Sequence, residues 1–189
     1  QLLQENPKSL VSLMHGNNEI GTISDMHQIG SICQKYDAIY HSDTVQTMGY
    51  YPLNLGELPV DSVVGAAHKF HGPKGVGFLY VSQHKKIAPY LTGGGQERSM
   101  RGGTENISGI IGMVKALELC IEQQQEGKKY VLGLKTRMKE QLVSKIPGVA
   151  FNGMSGDLEK GVYKVLNVSL PPDWGNDMLL FNLDLQGVS

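Results

Sequence analysis

Short apolar runs that alternate with a helical pattern and polar loops are the feature that most constrains the fold of this chain. The runs cover residues 9–14, 38–40, 60–67 and 76–81, and their length and bounding loops predict strands. After the first run, Asp25 can cap a helix whose apolar residues recur at helical spacing, namely Met26, Ile29, Ile32 and Cys33. This alternation predicts an α/β fold with a mostly parallel sheet and helices on both faces.

Polar residues directly follow three of the predicted strands. They are Asn17-Asn18-Glu19, Asp43-Thr44-Val45-Gln46 and His68-Lys69. In open sheets of this type, ligands bind beyond the carboxyl ends of the strands. We therefore expect these polar segments to meet in one crevice.

The second half of the chain is predicted to be richer in helix. A glycine-rich loop at residues 92–103 precedes a helix that starts near Thr104, and a polar break at 123–127 separates it from a second amphipathic helix that ends near Lys145. The apolar face of the first helix is predicted to comprise Ile107, Ile110, Ile111, Val114, Leu117 and Ile121.

The domain organisation follows from this change in pattern. Short strands are expected near 149–151 and 162–169, followed by an apolar helical stretch at 179–185. We predict that residues 1–125 form part of a large domain and that residues 126–189 begin a smaller α+β domain. Residues 1–5 are typical of the tail of a helix already under way, and the chain stops where a new element should begin after residues 186–189. We therefore expect it to be an internal portion of a longer polypeptide.

The composition argues against several classes of function. A net charge of −1 gives no basic surface for nucleic acid. No apolar run approaches the ~18 residues that span a membrane, and no secretory signal pattern opens the chain. The two cysteines, Cys33 and Cys120, lie far apart in helical patterns, which is typical of reduced thiols in a cytoplasmic protein.

Lys69 is the first candidate for chemistry. A partly desolvated lysine amine at a strand end can act as a nucleophile, but residues 68–75 also fit a surface turn rich in basic residues, and spacing alone favours that turn. Asp43 changes the balance, because pyridoxal 5'-phosphate (PLP) needs a lysine amine and a carboxylate partner for its ring nitrogen. Asp43 can equally be an ordinary turn or cap residue. Gln46 can lie on the same side as Asp43 if a helical turn follows.

A catalytic metal is the alternative use of this region. His41, His68 and His71 are close in sequence, but the chain has no obvious set of cysteine or carboxylate ligands to complete a site. We predict no metal.

Four phrases between about Ser9 and Asn106 stand out as motifs. They are Met14-His-Gly-Asn-Asn-Glu-Ile-Gly21, His41-Ser-Asp-Thr-Val-Gln46, Ala67-His-Lys-Phe-His-Gly-Pro-Lys-Gly75, and Gly93-Gly-Gly-Gln-Glu-Arg98 through Arg101-Gly-Gly-Thr-Glu-Asn106. These phrases resemble motifs of the class V aminotransferase family, and more narrowly of its cysteine desulfurases of the NifS and IscS kind. They occur in the family's order and at closely similar spacing.

The resemblance implies a PLP-dependent transferase of fold type I and gives roles to individual residues. Lys69 matches the lysine that holds PLP, and Asp43 matches the partner of its ring nitrogen. Gln46 matches the side chain that hydrogen-bonds the phenolic oxygen of the cofactor. Asn18 matches an asparagine close to that oxygen and to the substrate.

Further positions bear on the cofactor phosphate. His68 matches a phosphate contact, and Thr104 matches a threonine that reaches the phosphate bound by the neighbouring subunit, which implies a homodimer. Ala66 departs from the family, which usually has a serine there. One phosphate hydrogen bond is therefore expected to be missing, a loss of roughly 1.5–3 kcal/mol if nothing replaces it.

The activity implied is the removal of sulfur from L-cysteine, giving L-alanine and an enzyme persulfide for an acceptor or scaffold protein in iron–sulfur cluster assembly or another sulfur-transfer pathway. In the family, the sulfur-accepting cysteine follows a phrase that resembles residues 185–189. Neither Cys33 nor Cys120 matches it, so we expect no turnover by this chain alone. The alternatives are a selenocysteine lyase, another class V enzyme, or a catalytically incomplete fragment.

Overall fold

The chain is described by a computed structural model over residues 1–172 and 178–188. These residues divide into two compact units, the first comprising Gln1–Asn17 and Ile23–Lys128 and the second Asn18–Thr22 and the chain from Lys129 onwards. The elements of the first unit are α1 (Leu2–Glu5), β1 (Leu10–Met14), α2 (Met26–Lys35), β2 (Ile39–Asp43), β3 (Ser62–Ala66), a 3-10 helix (Ala67–Phe70), β4 (Gly77–Val81), α3 (Gln96–Ser99) and α4 (Ile107–Glu122).

The sheet of the first unit has the order β1-β2-β3-β4. The pairs β1–β2 and β2–β3 are parallel, whereas β3 and β4 are antiparallel. A short reversal makes the last pairing possible, because His71 has φ 66° and Gly75 has φ 80°, and antiparallel strands need only a short connection. The predicted strands and the mostly parallel sheet are therefore confirmed, with one antiparallel strand at the edge.

One face of this sheet carries the core of the first unit. Tyr40 and Val63 point to this face, and α4 residues pack against the same cluster. Because side chains alternate along a strand, the neighbouring positions point the other way. There Leu10 is 66% exposed and Leu79 52% exposed. The buried members of the core are Met26, Cys33, Ala38, Tyr40, Met48, Val60, Val63, Ala67 and Phe70.

Side-chain caps mark where α2 and α4 begin, and α4 begins at Ile107 and not near Thr104 as predicted. Asp25 precedes α2 and accepts a hydrogen bond from Gln28 N at 3.0 Å, as the sequence predicts. Asn106 does the same for α4, with its side-chain oxygen 3.1 Å from Gly109 N. Each side chain satisfies one of the free amide groups of the first helical turn.

The apolar residues predicted to line one face of α4 are only partly in the core. Leu117 packs against the core cluster, whereas Ile107, Ile111 and Ile121 are each more than half exposed. The helix also approaches its neighbours closely at a small residue, because an added Cβ at Gly112 would lie 2.7 Å from Pro73 Cγ. Two apolar faces are present on this helix, and the one with small residues allows the closer approach to the core.

The predicted polar break after α4 is shorter than expected. Helix α5 (Gln124–Lys145) begins directly after Gln123, because glutamine and glutamate are good helix formers. Gln124 also donates from Nε2 to Gly49 O at 3.2 Å. No helix in the described ranges has both the length and the apolar character needed to cross a membrane.

The second unit contains most of α5, the strands β5 (Ala150–Phe151) and β6 (Val168–Ser169), and α6 (Leu179–Leu185). β5 and β6 pair antiparallel, so the strand predicted at 162–169 is reduced to its last two residues. The predicted helix at 179–185 is confirmed, while Ser189 lies outside the described residues.

Residues 18–22 belong to the second unit, where their main-chain oxygens accept hydrogen bonds. Val162 N donates to Gly21 O at 2.8 Å, and Asn167 Nδ2 donates to Glu19 O at 3.0 Å. The buried Lys135 amine donates to Val162 O at 3.0 Å, and burial lowers the pKa of Lys135. No pattern in the sequence indicates that residues 18–22 join the chain from Lys129 onwards in one unit.

Candidate active site

The carboxyl ends of β1, β2 and β3 lie side by side in the first unit. Met14 pairs with Asp43, and Asp43 pairs with Val64. Beyond these pairs, His15 N donates to Asp43 O at 2.8 Å and Thr44 N donates to Val64 O at 3.1 Å. The structure therefore brings the polar segments after β2 and β3 to one edge of the sheet.

Asp43 is held at the start of a tight turn. Its Oδ1 accepts a hydrogen bond from Val45 N at 2.8 Å, a local bond that fixes the carboxylate against the main chain. The turn continues with Thr47 N and Met48 N donating to Thr44 O at 2.9 and 2.8 Å. Asp43 and Gln46 are partly exposed, so both side chains remain accessible at the strand end.

Lys69 lies in the 3-10 helix that follows β3 without a break. Ala67 and Phe70 at its two ends are fully buried, whereas His68 and Lys69 between them are exposed. Gly72 N donates to Ala67 O at 2.8 Å, and a Cβ at Gly72 would lie 2.9 Å from Ala67 Cβ. The buried Ala67 and Phe70 thus anchor the turn, and Lys69 between them is exposed to solvent. Residues 67–72 are called the lysine turn below.

His15 is a buried residue of this edge that the sequence analysis did not single out. Its side chain is only 8% exposed, its Nδ1 is 2.8 Å from Thr47 Oγ1, and its ring meets Tyr51 edge to face. Burial lowers the pKa of His15, so the ring is neutral near pH 7. A histidine placed directly after an apolar strand was the available signal.

We expect His15 to make the protein less stable as the pH falls. Above its ordinary pKa of about 6.5, His15 is neutral in both folded and unfolded states and contributes nothing to the pH dependence. Below that value the unfolded chain takes up the proton first, because the folded-state pKa is lower, so the free energy of unfolding decreases.

His15→Gln is therefore expected to flatten the fall in the urea midpoint between about pH 6.5 and pH 5. The matched control is His84→Gln, since His84 is exposed. In this variant the urea midpoint should fall with pH as steeply as it does in the unsubstituted protein. Equal slopes for the unsubstituted protein and His15→Gln would contradict the assignment.

The remaining predicted site residues have different positions. Asn18 belongs to the second unit, where its Nδ2 donates to Glu19 Oε1 at 2.6 Å. Thr104 is exposed and lies shortly before the start of α4. Ala66 is the last residue of β3 and is partly exposed; its methyl group offers no hydrogen bond. The roles of all the predicted site residues stay predictions, namely Asn18, Asp43, Gln46, His68, Lys69 and Thr104.

Both cysteines are free thiols in this structure. Burial, with a further contribution from Asp61, raises the pKa of Cys33, which disfavours its thiolate. Cys120 is partly buried and donates from Sγ to Phe70 O at 3.4 Å. Within residues 1–172 and 178–188, no group of three or more histidine, cysteine, aspartate or glutamate side chains is arranged to hold a metal ion.

A mostly parallel α/β sheet thus carries a lysine turn and a carboxylate near the carboxyl ends of adjacent strands. The chain belongs to the aminotransferase class-V family, whose family model matches residues 1–172. The expected family and fold class are thereby confirmed.

Curated relatives place the chain closer to one branch of that family. It is 43% identical over 180 residues to "Cysteine desulfurase IscS" of Dictyoglomus turgidum, covering 95% of this chain and 44% of the relative. It is 39% identical over 180 residues to "Putative cysteine desulfurase IscS 1" of Bacillus subtilis, with 95% and 46% covered. The chain therefore spans just under half the length of these relatives.

Solved structures agree with this placement. A NifS-like protein superimposes with a TM-score of 0.88 at 35% identity, covering 99% of this chain and 51% of the other. The NifS-like protein of Rickettsia africae gives a TM-score of 0.88 at 31% identity, with 100% and 51% covered. These structures extend the match to the described part of the second unit.

Proposed function

We propose that the protein containing this chain is a PLP-dependent cysteine desulfurase, which converts L-cysteine to L-alanine and passes the sulfur on as a persulfide. The observation that carries the proposal is the presence of Asp43 and Lys69 at the carboxyl ends of neighbouring parallel strands. The relatives named as cysteine desulfurases support the choice of L-cysteine among the substrates of this scaffold.

The donor set at this edge fits PLP. Lys69 offers an exposed primary amine, Asp43 a carboxylate, Gln46 an amide and His68 an exposed imidazole. Among the described residues, the Asp43 carboxylate accepts one hydrogen bond, at Oδ1, so Oδ2 is available to a ring N–H. When bound, PLP supplies an electron sink for the α-carbon of an amino-acid substrate.

Each of these side chains then has a distinct task. Lys69 would hold the cofactor covalently and, once released by the substrate, would carry a proton to or from the substrate's carbon atoms. Asp43 would keep the ring nitrogen protonated, and Gln46 would donate to the phenolic oxygen. His68 would contact the phosphate, where Ala66 gives no hydroxyl.

The sulfur leaves L-cysteine when a thiolate attacks it. An S–S bond forms as the C–S bond breaks, the electron pair passes to carbon, and a proton completes alanine. A thiolate is required, and we do not assign that role to Cys33, whose raised pKa opposes it, or to Cys120, which is engaged with Phe70 O. We propose that a cysteine outside this chain accepts the sulfur.

The wider setting is proposed on the same basis. A homodimer would let Thr104 reach the phosphate bound by the neighbouring subunit. The persulfide would be passed to an acceptor or scaffold protein for iron–sulfur cluster assembly or a related sulfur pathway. A cytoplasmic location suits such transfer, since thiols there are kept reduced.

Borohydride reduction of the full-length protein tests the cofactor assignment. We expect the protein to be yellow after incubation with PLP, and the reduced label to appear by mass spectrometry on the peptide that contains Lys69. Lys74 serves as an internal control, since it is also exposed and only five residues further on. Label on Lys74 instead, or on no lysine, would overturn the proposed function.

A further inference from the structure

The carbonyl groups of the lysine turn are held by side chains from two other segments. Tyr50 Oη donates to the main-chain oxygen of Lys69 itself at 2.9 Å. Cys120 Sγ donates to Phe70 O at 3.4 Å from α4. Successive carbonyls of a short 3-10 helix therefore have partners that the turn cannot supply from its own main chain.

Tyr50 also contacts His71, and the number of hydrogens on the hydroxyl group decides the direction of the hydrogen bond between them. A phenolic hydroxyl has one hydrogen, and Lys69 O can only accept, so that hydrogen points to Lys69. The 3.3 Å contact between Tyr50 Oη and His71 Nε2 must then be donated by an Nε2–H of His71. The two rings are also arranged edge to face, with their centroids 6.3 Å apart.

The segment that carries Tyr50 is the turn that follows Asp43. Tyr50 N donates to Thr47 O at 3.0 Å, in the same turn that presents Gln46. Gly49 makes the contact with the lysine turn possible, because at φ 80° an added Cβ would lie 3.1 Å from Cys120 Cβ and 3.3 Å from Phe70 Cβ. The Asp43 turn and the lysine turn thus approach each other closely at Gly49 and Tyr50.

We infer that Tyr50 is a positioning residue for Lys69, which ties the lysine turn to the turn that carries Asp43 and Gln46 and thereby sets the spacing between the cofactor's amine and carboxylate partners. This inference rests on the proposed function. It gives a role to a side chain that no motif in the sequence singles out.

Two properties suit Tyr50 to this task. Its burial, with a further contribution from Cys120, raises the pKa of Tyr50, so the hydroxyl remains a donor at neutral and mildly alkaline pH. The lysine is exposed between the buried residues Ala67 and Phe70, so its main-chain position sets which region the amine can reach. Small displacements of a reacting group have large effects on reactivity.

The test compares PLP binding by the full-length protein with and without the hydroxyl. Tyr50→Phe keeps the ring and removes the hydrogen bond, so the dissociation constant for PLP, measured by absorbance of the bound cofactor, should rise about three- to tenfold. Tyr80→Phe is the matched control, because Tyr80 Oη donates to a main-chain oxygen elsewhere, Leu55 O at 3.5 Å. Its dissociation constant should stay within about twofold of the unsubstituted value.

A second readout needs no cofactor. In the protein freed of PLP, hydrogen exchange at the amides of residues 70–72 should become severalfold faster in Tyr50→Phe and not in Tyr80→Phe. His71→Asn, which keeps a residue that tolerates positive φ, should weaken PLP binding in the unsubstituted background and have no further effect in Tyr50→Phe.

The outcomes separate the two proposals. Borohydride label on Lys69 with unchanged PLP affinity and unchanged exchange in Tyr50→Phe would overturn the role of Tyr50 alone. Failure to label Lys69 in the unsubstituted protein would overturn the proposed function, and the role of Tyr50 with it. A rise in the dissociation constant for Tyr50→Phe, with faster exchange confined to the lysine turn, supports the inference.

Discussion

Lys69→Ala is expected to lower the rate of sulfur release from L-cysteine by about a thousandfold or more in the full-length protein. The substitution removes the amine that we propose holds the cofactor and moves protons at the substrate. A thousandfold loss corresponds to about 4 kcal/mol of transition-state stabilisation, a reasonable size for a covalent catalytic group. Sulfide formation in the presence of a thiol reductant provides the measurement.

Lys74→Ala is the matched control for that experiment. Lys74 is an exposed lysine that follows Pro73, in the connection between the 3-10 helix and β4. Its substitution should change the rate by less than about threefold, since the family resemblance gives Lys74 no role at the cofactor and exposed charges contribute little. A small primary amine added to Lys69→Ala should restore part of the lost rate. If Lys69→Ala keeps a tenth of the activity, the assignment is wrong.

The part of the site that could be predicted from the sequence depends on local order along the chain. Asp43 is the last residue of β2 and Lys69 lies in the 3-10 helix that follows β3, and parallel strands bring their carboxyl ends to the same edge. Asp25 and its helix follow equally local rules. In these cases the residue and the strand or helix that positions it lie within a few positions of each other in the sequence.

Other parts depend on contacts between distant residues, and no pattern in the sequence contains them. His15 meets Thr47, and Tyr50 meets Lys69 O, through pairings that exist only once the sheet has formed. Asn18 follows β1 closely in sequence, but the structure places it in the second unit. The periodicity of the sequence also does not indicate which apolar face of α4 packs against the core, since that depends on how closely Gly112 approaches Pro73.

Gly30→Ala is expected to destabilise the first unit although alanine is the better helix former. Gly30 is buried in α2, and an added Cβ would lie 2.2 Å from Pro59 O and 2.5 Å from Pro59 Cγ. A main-chain oxygen cannot rotate away as a side chain can, so α2 or the chain before β3 must shift. Overpacking of this kind costs about 1–3 kcal/mol or more, which outweighs the gain of about 1 kcal/mol in helix propensity. A lower midpoint in urea unfolding is the expected result.

Gly127→Ala makes the same chemical change where there is room. Gly127 lies in α5, it is exposed, and an added Cβ meets nothing within 4 Å. Alanine there should raise the unfolding midpoint, because about 0.5–1 kcal/mol of backbone entropy is recovered. Opposite signs for the two substitutions would show that close packing against Pro59, and not helix propensity, explains a glycine at position 30. An equal rise in both midpoints would mean that α2 can move away from Pro59, and the packing of α2 on the sheet would need to be revised.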